Sequence, residues 1–266
     1  MNRTCCPLWL IRHSDVQSRI LSSLNSARNR IVAGNCYIFF RADDMAVPGQ
    51  YFFRLVELFR RFDVPLSMAI VPAWLTLPRW ECINKALKKA PNLFCLFQHG
   101  WRHINHEKKG KKQEFGPERE RAQIREDLVK GRRRLEGLIG DDFNPLFTPP
   151  WNRCTKSTVE ELENLGYKAI SSKKGRKDED HRFPDFGVSI DLHTRKESDP
   201  LESMESLLDQ LKSSLADPYC GIMIHHQRMN ESAFHFLEIF LETLLKFKEY
   251  PVVSINDLVK EDFMLY

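Results

Sequence analysis

From Cys36 onward the chain alternates short apolar runs with stretches in which apolar residues recur every three or four positions, the pattern of a parallel α/β architecture. The first run, Cys36 to Phe40, reads as a strand that ends in Arg41-Ala42-Asp43-Asp44. Across Gln50 to Phe62 the residues Phe53, Val56, Leu58 and Phe59 fall mostly on one helical face, and Pro65 closes the connection to a strand over 67–71. The same reasoning predicts helices over 81–90, 118–138, 156–165, 201–215 and 232–248. It predicts further strands over 93–97, 146–148, 168–171, 188–191, 221–225 and 252–255. Seven or eight strands alternate with helices, which either close into a barrel or form an open sheet.

Polar residues follow these strands in a consistent way. Asp43 and Asp44, His99, Asp191 and His225 each come directly after an apolar run or close it. Parallel strands place their carboxyl ends on one side of a fold, where barrel and open-sheet active sites lie. The Asp43-Asp44 pair offers one carboxylate for a cation and one for substrate, although a strand-end Asp pair also serves as a helix cap or turn. His99 and His103, four residues apart in His-Gly-Trp-Arg-His, present two imidazoles to one point if they begin a helical turn, and Gly100 permits close packing. Two imidazoles and a carboxylate make a divalent-metal site with open positions; the bland reading is a pair of polar loop histidines. Pro149-Pro150-Trp151-Asn152 follows the fourth strand as a rigid loop with a flat apolar face, suited equally to a sugar ring or to capping the core. Asp191 and His225 at two late strand ends can pair as an oriented imidazole acting as general acid.

Composition narrows the class. Of 266 residues 42% are hydrophobic and 29% charged, enough for one large folded domain over 35–266, preceded by a helical extension over 1–34. The net charge of +4, from 40 basic and 36 acidic residues, does not point to a nucleic-acid partner. Lys108 to Lys112 and Arg132 to Arg134 read as solvated faces. Seven cysteines with no Cys-x-x-Cys pair suggest free thiols in a reducing compartment, and the N-terminal apolar run is too short for an export signal. No run reaches the ~20 apolar residues of a membrane span. The expectation is a cytoplasmic protein without stable membrane insertion; oligomeric state is unreadable.

The order Ala-Asp-Asp, His-Gly-Trp-x-His, Thr-Pro-Pro-Trp-Asn, a later Asp and Ile-His-His, spread from about Tyr37 to Ile255, resembles the polysaccharide deacetylase (NodB homology) superfamily and its divergent members. The resemblance implies a distorted (β/α) barrel of seven or eight strands. It implies Asp43 as catalytic base, Asp44, His99 and His103 as metal ligands, His225 as general acid and Asp191 as its orienting partner. Pro150, Trp151, Asn152 and Arg41 are then expected to line the substrate site. The implied cofactor is a divalent metal, zinc foremost, with manganese, cobalt or iron also compatible. The implied activity is removal of an acyl group, N-acetyl foremost, from a sugar or glycan intermediate by cleavage of a non-peptide carbon–nitrogen bond. Well-studied members carry Thr-Phe before the Asp pair, where this chain has Arg41-Ala42, and an Arg before the Pro-Pro, where it has Thr148. That Arg holds the base, so its role passes to Arg41 or Arg153 or is lost, and a catalytically inactive carbohydrate-binding relative is the alternative.

Overall fold

The computed structural model describes residues 6–30, 34–175 and 183–261. Seven strands, β1 (Tyr37–Ala42), β2 (Leu66–Ile70), β3 (Phe94–His99), β4 (Phe143–Thr148), β5 (Ala169–Ile170), β6 (Val188–Asp191) and β7 (Tyr219–Ile224), form a sheet in the order β5-β4-β3-β2-β1-β7-β6. β1 runs parallel to β7, β3 to β4 and β4 to β5. The helices are α1 (Val16–Arg28), α2 (Gln50–Phe62), α3 (Leu77–Leu87), α4 (Arg121–Ile139), α5 (Lys156–Asn164), α6 (Pro200–Ser214), α7 (Glu231–Leu244) and α8 (Ile255–Lys260). Among the described residues no helix is long and apolar enough to cross a membrane.

The chain divides into two compact units. The first comprises Met1–Ala42, Gly49–Leu66 and Ser189–Val253; the second comprises Asp43–Pro48, Ser67–Val188 and Ser254–Tyr266. In the first unit Phe40 of β1 meets Phe59 of α2 and Phe240 of α7 edge-on, at 5.2 and 6.1 Å between ring centroids. α1 buries Val16, Ile20, Leu24 and Ala27, a helical stripe that fixes its inward face. Just before it, Trp9 is buried and donates from Nε1 to the Leu192 carbonyl at 2.9 Å. The expected extension is thus anchored in the core of this unit over its described residues.

Two departures from the predicted elements have plain causes. α3 begins at Leu77 rather than near residue 81, because Thr76 caps it by accepting from the Arg79 amide and Pro78 occupies its first turn. The strand expected over 252–255 is a single bridge between Val252 and Ile38. Ser254 and Asp257 form a reciprocal capping box that turns the chain into α8 at Ile255. In the basic run 132–134 Arg133 and Arg134 are exposed, as expected of a solvated face, while Arg132 donates to the Leu165 carbonyl and Arg134 to the carbonyls of Pro72 and Leu75. Part of the polar 173–185 loop, 176–182, lies outside the described residues.

Candidate metal centre

Three side chains of the second unit converge. One ligand atom from each of Asp44, His99 and His103 lies within 4.8 Å of the other two. Asp44 Oδ1 is 3.5 Å from Nε2 of both imidazoles. Four ligands at about 2.0–2.1 Å around a tetrahedral zinc ion stand about 3.4 Å apart, so these spacings fit the donors of one cation better than direct hydrogen bonds.

His99 is the last residue of β3 and is buried. Its Nδ1 is 3.0 Å from the carbonyl oxygen of Thr148, the register partner at the end of β4. A carbonyl only accepts, so Nδ1 carries a hydrogen and Nε2 is the atom presented to the centre, as in many metal-binding histidines. Burial pushes the His99 imidazole down, but the nearby carboxylates of Asp44 and Asp43 and the Thr148 carbonyl outweigh it and hold His99 above the usual histidine range. The field that favours a proton there also favours a cation. Burial and the neighbouring His99 charge lower His103 to about 4, leaving its imidazole neutral and able to ligate.

The chain does not continue from His99 into a helical turn, as the i, i+4 spacing predicted. It reverses through Gly100 at φ +58° and His103 at φ +59°. The five described non-glycine residues with positive φ are Asp44, Asp63, His103, Trp151 and Asn152. Asp63 ends α2 as its left-handed C-cap; the other four belong to the predicted site. Each costs about 1–2 kcal/mol relative to ordinary backbone and persists only where surrounding contacts over-determine it.

Those contacts come from residues the motif reading did not single out. Gln98 of β3 is buried, donates to the Gly100 carbonyl at 2.9 Å, and accepts from the hydroxyl of Tyr167. Gly131 of α4 makes room for it, since a Cβ there would lie 2.2 Å from Gln98 Nε2. Glu114, with no exposed surface, accepts from the amides of Trp101 at 3.1 Å and Arg102 at 2.7 Å. Burial raises the Glu114 carboxyl above the ordinary range even though these amides stabilise its charge. A lone Gln inside the apolar run Phe-Cys-Leu-Phe-Gln-His was a legible signal, because a buried amide needs partners. Nothing marks Glu114 in the sequence, where it follows a lysine-rich stretch.

The rings around His103 form a shallow wall. Trp151 lies 4.4 Å and Trp74 5.8 Å from it, centroid to centroid, and both tryptophans are partly exposed. Asp43 is buried beside Asp44.

No family model matches the chain, and neither does any curated protein. Solved structures do match. A polysaccharide deacetylase from Mycobacterium smegmatis, so described without established activity, aligns with TM-score 0.62 and 14% identity over 86% of this chain and 90% of its own. A family 4 acetyl xylan esterase from Clostridium thermocellum, solved with a cobalt ion, aligns with TM-score 0.59 and 12% identity over 85% and 92%. A CE4 family pseudoenzyme from Bacillus anthracis aligns with TM-score 0.54 and 15% identity over 85% and 66%. The fold is that of the polysaccharide deacetylases. It is the distorted (β/α) barrel type expected from the motif order.

Within this deacetylase fold the remaining predicted residues have distinct surroundings. Thr148, in the position of the family's Arg, is buried and donates from Oγ1 to the Ser171 carbonyl at 3.0 Å. Arg153 reaches the Lys112 carbonyl at 3.4 Å on an exposed loop. In the first unit Arg41 is fully buried with Nη2 2.9 Å from Met223 Sδ. Asp191 accepts through Oδ1 from the amides of His193 and Thr194, at 2.8 and 3.0 Å. Nδ1 of His225 is buried and has no hydrogen-bond partner among the described residues, so Asp191 does not hold it through that atom. The ring of His193 faces His225 edge-on, 6.5 Å away centroid to centroid.

Proposed function

We propose that this protein is a metal-dependent hydrolase that removes an acyl group, N-acetyl foremost, from a sugar or glycan intermediate in the cytoplasm. The observation that carries the reading is the convergence of Asp44, His99 and His103 on one point, with the His99 tautomer set by Thr148. A divalent ion held by these three residues, zinc foremost and manganese, cobalt or iron as alternatives, supplies Lewis acidity toward the acyl carbonyl and the attacking water. The cobalt ion bound to the Clostridium esterase supports a divalent metal on this fold.

The chain's own groups do the rest. Asp43 takes a proton from water as the water oxygen bonds to the amide carbon. The carbon–nitrogen bond then breaks as the amine nitrogen gains a proton, a role assigned to His225, and the products are acetate and a free amino sugar. Asp191 is assigned as the orienting partner of His225, through the turn it holds at His193 and Thr194. Trp151, in the loop stiffened by Pro150 and Asn152, offers a face for the sugar ring, with Trp74 across His103 widening it. Arg41 is assigned the electrostatic support of Asp43, the role of the Arg whose place Thr148 takes.

Acetate release from N-acetylated oligosaccharides by the metal-loaded protein is the test. Asp43→Asn is expected to retain metal and lose about 10²–10⁴ of the turnover, whereas Asp44→Ala loses both. Wild-type turnover in Asp43→Asn, or full metal in Asp44→Ala, would overturn the assignment. Thr148 in place of the Arg that holds the base favours a second reading, an inactive carbohydrate-binding relative, and the Bacillus structure shows that this fold includes a pseudoenzyme. Sugar binding without acetate release across many acylated sugars and metals would establish it.

A further inference from the structure

We infer that Glu114 is a positioning residue that sets the affinity of the Asp44–His99–His103 centre for its ion, by anchoring the backbone turn that carries His103. The inference rests on the metal-centre reading above.

After His103 the chain makes an excursion whose ends are tied together: His106 donates its amide to the Gln113 carbonyl at 2.9 Å, and the Gln113 amide donates to Asn105 Oδ1 at 2.9 Å. The lysines at 108, 109, 111 and 112 occupy its exposed tip. Its return leg delivers Glu114 beneath the 99–103 turn. There the two carboxylate oxygens are divided between consecutive amides, Oε2 taking Trp101 and Oε1 taking Arg102. Successive amides aimed at one point form a nest for an anion, and the left-handed Gly100 just before them makes that geometry available. No cation pairs with this carboxylate among the described residues, so its burial is offset by backbone donors alone. A neutral acceptor would satisfy one amide at lower desolvation cost. A carboxylate, with two acceptor oxygens, satisfies both amides at once.

The geometry of the turn explains why its His103 end depends on this residue. Trp101 and Arg102 lie between the two ligating histidines, so releasing their amides frees the segment that sets the direction of His103 while leaving His99 fixed by β3 and Thr148. In Glu114→Gln the amide group keeps one acceptor and turns an N–H toward a backbone N–H. Loss of one such outer contact to a metal site is worth about 10–100-fold in affinity.

The experiment is a competition titration of Zn²⁺ between a chelator and the full metal-free chain, for wild type, Glu114→Gln, Glu114→Ala and His99→Ala. Zn²⁺ affinity is expected to fall about 10–100-fold in Glu114→Gln and at least as far in Glu114→Ala, with amide hydrogen exchange at Trp101 and Arg102 accelerated. Wild-type affinity in Glu114→Gln, beside tight binding by wild type and none by His99→Ala, overturns this inference and leaves the metal centre standing. If wild type takes up no Zn²⁺, the metal-centre reading itself fails. Should the Glu114 variants not fold, exchange in the wild type decides: both amides must be protected without metal and slower still with it, and rapid exchange at both overturns the inference.

Discussion

Replacing Gly100 by alanine puts one methyl group where the turn between the two histidines has no space. The backbone there has φ +58°, which costs an L residue about 1–2 kcal/mol relative to glycine. The added Cβ would stand 2.2 Å from Glu114 Oε2 and 2.5 Å from Pro150 Cγ. Neither neighbour yields easily, because Glu114 is held by two amides and Pro150 is a buried ring in the loop that carries Trp151. Overpacking of this kind costs about 1–3 kcal/mol, so the two effects together come to about 2–5 kcal/mol, a large part of the ~5–15 kcal/mol that holds a typical domain together. Urea unfolding of the metal-free protein should show the midpoint falling with the slope unchanged, and the chelator competition should show weakened metal binding. A variant within about 0.5 kcal/mol of wild type, with unchanged metal affinity, would refute the view that this turn is a tightly determined support for the ligands.

Other substitutions probe separate parts of the account. His225→Ala should lower turnover by about 10²–10⁴ with metal content unchanged, and wild-type turnover in that variant would place the acid elsewhere. His193 is fully buried, and burial first, then the charges of His225, Arg228 and His226, hold its imidazole well below the ordinary histidine value of 6.5. Its unfolded form therefore binds a proton that the folded form refuses, so wild-type stability is lost as pH falls below 6.5 and the contribution levels off above it. His193→Phe should remove that loss, so its stability relative to wild type rises by about 1.2 kcal/mol as the pH falls from 6 to 5. Parallel urea stability profiles for the two proteins would exclude a neutral buried His193.

The extent to which the sequence announced this arrangement varies from residue to residue. α2 was legible to its ends because its apolar residues recur with helical spacing and Asp63 can take the left-handed cap. Asp43, Asp44 and His99 were legible because parallel strands send their ends to one side, a rule that needs no knowledge of side-chain packing. The spacing of His99 and His103 suggested a helical turn, yet four-residue spacing also fits a strand end followed by a left-handed reversal. Only the contacts of Gln98, Glu114 and Thr148 decide between them. Those contacts join residues 2 to 69 positions apart, and the longer ones leave no periodic trace. Trp151 gave no hint of its positive φ, since tryptophan has no local preference for it. The strand expected over 252–255 failed on a local signal, the Ser254–Asp257 capping box.

The central claim is that Asp44, His99 and His103 hold a metal ion. Elemental analysis of the purified wild type beside the His99→Ala/His103→Ala double variant, both prepared under metal-replete conditions, tests it most directly. The account predicts near-stoichiometric divalent metal in the wild type and none in the variant; metal absent from both, or equal in both, would contradict it.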